Sequence, residues 1–315
     1  MRKAHVVGID DYQDAPLAGC VRDATEIASV LETNGDGSPN FDVQLITSPA
    51  ATVSRPSLKA SVEELFKGDS DVALLYFSGH GYIDSTGGFL VTTDHTAYDE
   101  GLAMDTILAY ANASSAKNKL IILDCCHAGA AGTPTVLGDK IALLAEGLSV
   151  LTASRADESA LEINGNGVFT SLLVDALKGG AADLRGNITP GSLYAYVDEA
   201  LGAWDQRPIF KTNVSSFVRI RQIQPKVPLE ILRKITEYFP DPTSEHHLDP
   251  SYEYTEPVAD PVNVAIFKDL QKFVAAALVV PIDEEHMYDA AMNSGGCRLT
   301  ALGLQYWRLA NEKKI

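Results

Sequence analysis

The stretch Val72-Ala73-Leu74-Leu75-Tyr76-Phe77-Ser78-Gly79-His80-Gly81-Tyr82 decides the reading of this chain. From Val72 to Phe77 the residues are apolar almost without break, the pattern of a parallel strand covered on both faces. A second such run, Leu120 to Leu123, leads into Asp124-Cys125-Cys126-His127-Ala128-Gly129. An open α/β fold builds its sites at the carboxyl ends of its strands, so His80 and the cysteine pair can meet despite their separation in sequence. A cysteine and a histidine that meet there are a candidate nucleophile and base. Taken singly, each string reads equally well as structure: a satisfied core histidine, or small buried thiols. The two together, each at a strand end, favour chemistry. Gly79 and Gly81 beside His80 leave room for a substrate backbone to approach.

Outward from these strings, strand and helix candidates alternate. Val6 to Ile9 predicts the first strand, and Leu17, Cys20, Val21, Ala24, Ile27, Ala28 and Leu31 recur at helical spacing up to Asn34-Gly35. Phe41 to Thr47 reads as a strand, Ser57 to Phe66 as a helix, and Gly79 to Asp94 as a Gly-rich hairpin. Met104 to Ala113 is a further helix candidate, Leu148 to Ala153 a strand, and Phe169 to Leu177 and Gly191 to Leu201 are helices. Ser216 to Ile220 is expected to be the closing strand. This rhythm predicts an α/β domain over residues 1–222, with a mainly parallel sheet flanked by helices.

The character changes after Gln222. Leu229, Leu232, Ile235 and Phe239 mark a short amphipathic helix, and Pro240, Pro242, Pro250, Pro257 and Pro261 suggest a linker or extended arm. Asn263 is a candidate cap for a helix carrying Phe267, Leu270 and Val274, and Thr300 for the last helix. Residues 223–315 therefore read as a proline-rich arm followed by a small, mostly helical domain, with a winged helix as one candidate form. Tyr306, Trp307 and Leu309 are expected in its core rather than at an interface, because a small domain needs such residues to bury enough area.

Composition removes several function classes. The formal charge of −17 opposes binding to a nucleic-acid backbone and is compatible with basic peptides. Residues 226–315 are themselves acidic, which argues against a DNA-reading winged helix. The longest apolar run, Phe273 to Ile282, is too short to span a bilayer. No apolar signal-peptide core follows Met1, and the four cysteines form no disulfide framework or zinc spacing, so a cytoplasmic protein is expected. Asp10-Asp11-Tyr12 after the first strand is not a dinucleotide-binding glycine turn.

Ser78-Gly79-His80-Gly81 and Asp124-Cys125-Cys126-His127-Ala128-Gly129 resemble the two signature strings of the metacaspases, within the caspase–hemoglobinase group. The resemblance covers residues 1–222 and implies a caspase-like fold and a bacterial cysteine endopeptidase. Its pattern Asp-x-Cys-His-x-Gly implies Cys126 as the nucleophile and His80 as the general base. The N–H groups of Gly81 and Cys126 are implied as the oxyanion hole. Gly19-Cys20-Val21-Arg22-Asp23-Ala24 resembles a further family segment, which implies a primary pocket of Cys20, Asp23, Ser78 and Asp124. Two carboxylates there suit the guanidinium of Arg or the ammonium of Lys. Caspases that cut after Asp carry an arginine and a glutamine where this chain has Leu17 and Asp124. The alternative for Asp23 is a helix-surface acid beside Arg22. Adjacent helical positions point about 100° apart, so the two do not both face a pocket.

No cofactor is required by this chemistry. Many metacaspases use calcium, but the nearest match to their adjacent Asp pair is Met104-Asp105, and Asp94, Asp99 and Glu100 fit no EF-hand spacing. Calcium dependence stays open on the sequence, as does self-cleavage at Lys140 or a role for Arg155 in a second loop. His127 suits a structural or substrate-contact role, and Cys125 could pair with Cys126 under oxidation. The expected partners are a protein substrate with a basic residue before the scissile bond, in a stress or defence pathway, and a protein activator or adaptor acting through residues 223–315. Two rivals remain: an Asp-specific caspase-type protease, and an idle caspase-fold scaffold.

Overall fold

The structure, a computed structural model, describes residues 1–96, 99–125, 143–153, 162–163, 166–201 and 207–315. The chain divides into two compact units, residues 1–182 with 187–223, and residues 224–315 with 183–186.

In the first unit β1 (Arg2–Gly8) is followed by α1 (Cys20–Glu32), β2 (Asp42–Thr47), α2 (Arg55–Phe66) and β3 (Val72–Ser78). A three-stranded antiparallel excursion follows, formed by β4 (Gly81–Asp84), β5 (Gly87–Thr96) and β6 (Asp99–Ala103). Then come α3 (Met104–Ala113), β7 (Asn118–Asp124), β8 (Leu148–Thr152), the short pair β9 (Glu162–Ile163) and β10 (Asn166–Gly167), and α4 (Val168–Asp175). The unit ends with β11 (Asn187–Ile188), α5 (Pro190–Leu201), β12 (Ile209–Asn213) and β13 (Arg221–Gln222).

The central sheet has the order β12-β8-β7-β3-β1-β2, parallel except for the antiparallel edge strand β12. β3 lies inside it and all seven of its residues are buried. Alternate side chains serve opposite faces. Ala73, Leu75 and Phe77 pack with Leu58, Val62 and Leu65 of α2 and Ile107 and Leu108 of α3. Val72, Leu74 and Tyr76 pack with Ala24 and Ile27 of α1, Phe169 and Leu173 of α4, and Leu193 and Val197 of α5. The expected mainly parallel sheet flanked by helices is therefore present. The strand order turns back between β1 and β3, and at such a switch the strand ends leave a crevice.

The closing strand differs from expectation. It is β12, paired antiparallel to β8 from Ile209↔Thr152 to Asn213↔Leu148, not Ser216 to Ile220. Phe210 stacks on Tyr194 with ring centroids 5.4 Å apart, which anchors β12 on α5. The later stretch instead inserts Ile220 into the core, where its N–H reaches the carbonyl of Ile188, and leaves Phe217 exposed. Both stretches have strand-like composition, and packing chooses between them.

The second unit contains α6 (Leu229–Arg233), α7 (Ile235–Tyr238), β14 (Glu245–His247), α8 (Pro261–Ala275), β15 (Val279–Pro281), α9 (Met287–Met292), β16 (Gly296–Leu299) and α10 (Ala301–Asn311). The three strands form an antiparallel sheet in the order β14-β16-β15, so a small sheet accompanies the helices of this unit. The proline-rich stretch is not a linker: it supplies β14, buries Leu248 and Glu253, and bonds both ring nitrogens of His246, to the Tyr238 carbonyl and the Tyr252 hydroxyl. Pro250 and Pro261 sit at helix starts, where a missing N–H costs nothing. Asp260, not Asn263, caps α8 by accepting from Val262 and Asn263, whereas Thr300 caps α10 as expected. Tyr306 and Trp307 are half-buried against the core of Phe239, Phe267, Leu270 and Phe273, and the Trp307 indole donates to the Phe239 carbonyl at 2.6 Å. Among the described residues no helix is long and apolar enough to cross a membrane.

Candidate active site

Parallel register sets the site. Gly8 of β1 lies beside Ser78 of β3, and Ser78 beside Asp124 of β7, so three strands end level with one another. After β1 the chain turns through Asp10, whose carboxylate accepts from the N–H groups of Cys20 (2.8 Å) and Val21 (3.4 Å). Gly19, at the N-cap, has no side chain to do this, so Asp10 caps α1 from outside and fixes its first turn. That turn carries Cys20 and Asp23.

Cys20, Asp23, Ser78 and Asp124 are all buried and lie together. Ser78 lies beside the Cys20 thiol and favours its charged form. Asp23 Oδ2 accepts from the N–H of Gly167 at 3.2 Å, and Asp124 Oδ2 accepts from the Thr170 hydroxyl at 2.6 Å. Asp23 is not the helix-surface acid of the alternative reading: it is 3% exposed, whereas Arg22 points to solvent. Burial, and next the charge of Asp124, push the Asp23 carboxyl up to about 7, against the opposing pull of the Gly167 N–H and Arg22. Burial pushes the Cys20 thiol up as well, which makes it a neutral wall group.

His80 follows β3 directly and is held on several sides. Its N–H donates to the Tyr12 hydroxyl at 2.9 Å, and its carbonyl accepts from Val91 at 3.0 Å. The neighbouring Gly79 N–H donates to the Asp124 carbonyl at 3.3 Å. The Tyr12 ring lies 4.6 Å from the imidazole, centroid to centroid, and its hydroxyl donates to the Val91 carbonyl at 3.2 Å. Nε2 of His80 is 2.7 Å from the Ala15 carbonyl. A carbonyl only accepts, so Nε2 carries the hydrogen and the neutral ring keeps its lone pair on Nδ1. Gly81, next in sequence, opens β4 opposite Leu90.

Cys126, the candidate nucleophile and second oxyanion donor, lies outside the described residues, as do His127, Lys140 and Arg155. Its neighbour Cys125 is 1% exposed and belongs to the core beside Leu123 and Ile121. Asp10, Tyr12, Ala15, Gly167, Thr170 and Tyr76 were not among the sequence candidates. The position of Asp10-Asp11-Tyr12 just past a strand was the one signal for the first of them.

Among the described residues, Asp94 and Asp99 already have partners within the chain. Asp94 accepts from the Thr92 hydroxyl and the Arg55 N–H, and Asp99 pairs with the Arg55 guanidinium. Arg55 and Lys59 line the same depression as these acids, so the cation beside them belongs to the chain itself. Among the described residues no three His, Cys, Asp or Glu side chains gather as metal ligands.

The family model described as Caspase domain (Peptidase_C14) matches residues 1–218, and the chain belongs to this family. Membership supports a cysteine peptidase. Among solved structures, the chain is similar to protein GSU0716 from Geobacter sulfurreducens, with a TM-score of 0.53 and 17% identity, over 71% of this chain and 100% of that one. It is also similar to caspase-1 from Spodoptera frugiperda, with a TM-score of 0.51 and 13% identity, over 71% of this chain and 91% of the other. At these identities the likeness concerns the fold. No curated protein matches the chain.

Proposed function

We propose that this caspase-domain protein is a metacaspase-like endopeptidase that cleaves proteins after Arg or Lys through Cys126 and His80. The observation that carries the reading is the convergence of two buried carboxylates, Asp23 and Asp124, at the strand ends that also present His80. A buried pair of acids is electrostatically matched to one cationic side chain and mismatched to an acidic one.

In this mechanism Nδ1 of His80 accepts the proton of the Cys126 thiol, and the thiolate attacks the carbonyl carbon of the residue held in the pocket. The N–H groups of Gly81 and Cys126 stabilise the oxyanion. Nδ1 then gives its proton to the leaving amine, an acyl-enzyme remains, and water deprotonated by His80 releases it. The core position of the Cys125 thiol supports Cys126 as the reactive member of the pair, since adjacent side chains diverge. A cytoplasmic setting and an activator or adaptor docking on residues 223–315 belong to the same proposal; the separate core of that unit supports an independent role for it.

The test is a set of matched fluorogenic peptides ending in Arg, Lys or Asp, run with calcium and with chelator, beside Cys126→Ala. The expected result is cleavage after Arg or Lys that disappears in the variant. Cleavage after Asp would overturn the pocket assignment and keep the nucleophile. No cleavage, with Cys126→Ala fully competent in an assembly assay, would favour the scaffold.

A further inference from the structure

The two pocket acids converge on a single backbone position. A Cβ added to Gly167 would lie 2.7 Å from Asp124 Oδ2 and 2.9 Å from Asp23 Oδ2, closer than side-chain carbons tolerate. The backbone there does not require glycine, because φ is −62°, in ordinary territory for any residue. What requires glycine is the space between the two carboxylates. Its N–H at the same time holds Asp23.

Asp124 is aimed by a separate chain of hydroxyls. Thr170 donates its only hydroxyl hydrogen to Asp124 Oδ2 at 2.6 Å, so the Thr170 oxygen must accept from Tyr76, whose hydroxyl lies 2.5 Å away. Tyr76 is wholly buried on β3 and Thr170 is buried on α4, so neither end of this relay can wander. The relay runs in one direction, toward the Asp124 carboxyl group.

We infer that Gly167 and Thr170 set the specificity of the pocket: Gly167 by letting both carboxylates face one cationic group, and Thr170, oriented by Tyr76, by holding Asp124 in place. This deepens, and rests on, the proposed cleavage after basic residues. Thr170 acts through Asp124 and is a positioning residue. Among the described residues, the charged and titratable groups around the pair are Cys20, Arg22 and Glu26 on α1, Tyr76 on β3 and Asp10 in the loop after β1. The like charge of Asp124 and burial both favour a protonated Asp23, so an incoming guanidinium or ammonium must compete with a proton.

The experiment measures KM and kcat for an Arg peptide against pH in the wild type, Thr170→Val, Thr170→Ser and Gly167→Ala, with the melting temperature of each variant as a folding control. Thr170→Val, which keeps the shape and removes the donor, is expected to raise KM about tenfold or more, the scale of one hydrogen bond to a charge. Its kcat should change little, and the fall of KM with rising pH should move to higher pH. Thr170→Ser should restore both. Gly167→Ala should raise KM at least as much. If it fails to fold, the valine and serine pair decides alone. Equal losses in Thr170→Val and Thr170→Ser, or a loss confined to kcat, would mean that the relay only satisfies buried hydroxyls. If the wild type itself cleaves after neither Arg nor Lys, the basic-residue reading falls and takes this inference with it. Wild-type cleavage with KM indifferent to these substitutions overturns the inference alone.

Discussion

Nε2 of His80 donates to the main-chain carbonyl of Ala15, 2.7 Å away, and that single contact fixes which nitrogen of the ring is free to act as a base. No side chain supplies the contact, so substitution of Ala15 alone cannot remove it. The support behind it is Tyr12, which accepts the His80 N–H and packs against the ring.

His80→Ala is therefore expected to lower kcat toward an Arg peptide by about 10²- to 10⁴-fold, the usual contribution of a positioned base. Tyr12→Phe keeps the ring and removes the acceptor of the His80 N–H. It should cost about 1–3 kcal/mol of stability by leaving that group unpaired. Denaturant unfolding and steady-state kinetics on the two variants separate the effects.

Asp23 should make the protein less stable as pH rises. Its carboxyl goes from the ordinary value of 3.8 to about 7 on folding, so the folded state binds the proton more tightly than the unfolded chain. The stability contributed by that proton is full below 3.8 and lost as pH rises to about 7. Asp23→Asn should therefore melt higher than the wild type above pH 7, with the difference vanishing in acid, while binding basic substrates more weakly. Thermal melts across pH check the sign.

Calcium should leave both the melting temperature and the rate of peptide cleavage unchanged. Arg55 already neutralises Asp99 and its N–H holds Asp94. The pair is exposed, so Arg55→Ala should cost no more than about 1 kcal/mol. Melting curves with calcium and with chelator test the first statement, and a denaturant titration the second.

Gly303→Ala should destabilise the second unit. In an exposed helix interior the change normally gains about 1 kcal/mol. Here the new Cβ would lie 2.0 Å from the Leu278 carbonyl oxygen, and backbone cannot step aside as a side chain can. A loss of about 1–3 kcal/mol is expected, the usual range for overpacking. Calorimetry of the full chain would register it.

Much of the first unit was legible because its signals are local. The unbroken apolar run of β3 announces burial on both faces, and the helical spacing from Cys20 to Leu31 announces α1. The four pocket candidates, drawn from three separate segments, do lie together. The misreadings share a cause. Ile209–Asn213 and Ser216 to Ile220 are both strand-like, and only the stacking of Phe210 on Tyr194 and the pairing with β8 select the first. The prolines of the second unit looked like breaks, yet Pro250 and Pro261 begin helices because an acid precedes each as a cap.

By itself, then, the sequence determined the α/β class and the strand ends that carry the candidate chemistry, since both depend on residue type and short-range periodicity, whereas Asp23 and Asp124 are candidate pocket acids only through the resemblance to the metacaspases. Tertiary structure alone decided that Ala15 and Tyr12 hold His80, that Asp23 faces inward while Arg22 faces out, and that Gly167 and Thr170 stand between and behind the two carboxylates. These are contacts across tens to more than a hundred residues, created when parallel strands end level at one edge of the sheet. No local pattern encodes such a meeting; it follows from register and packing.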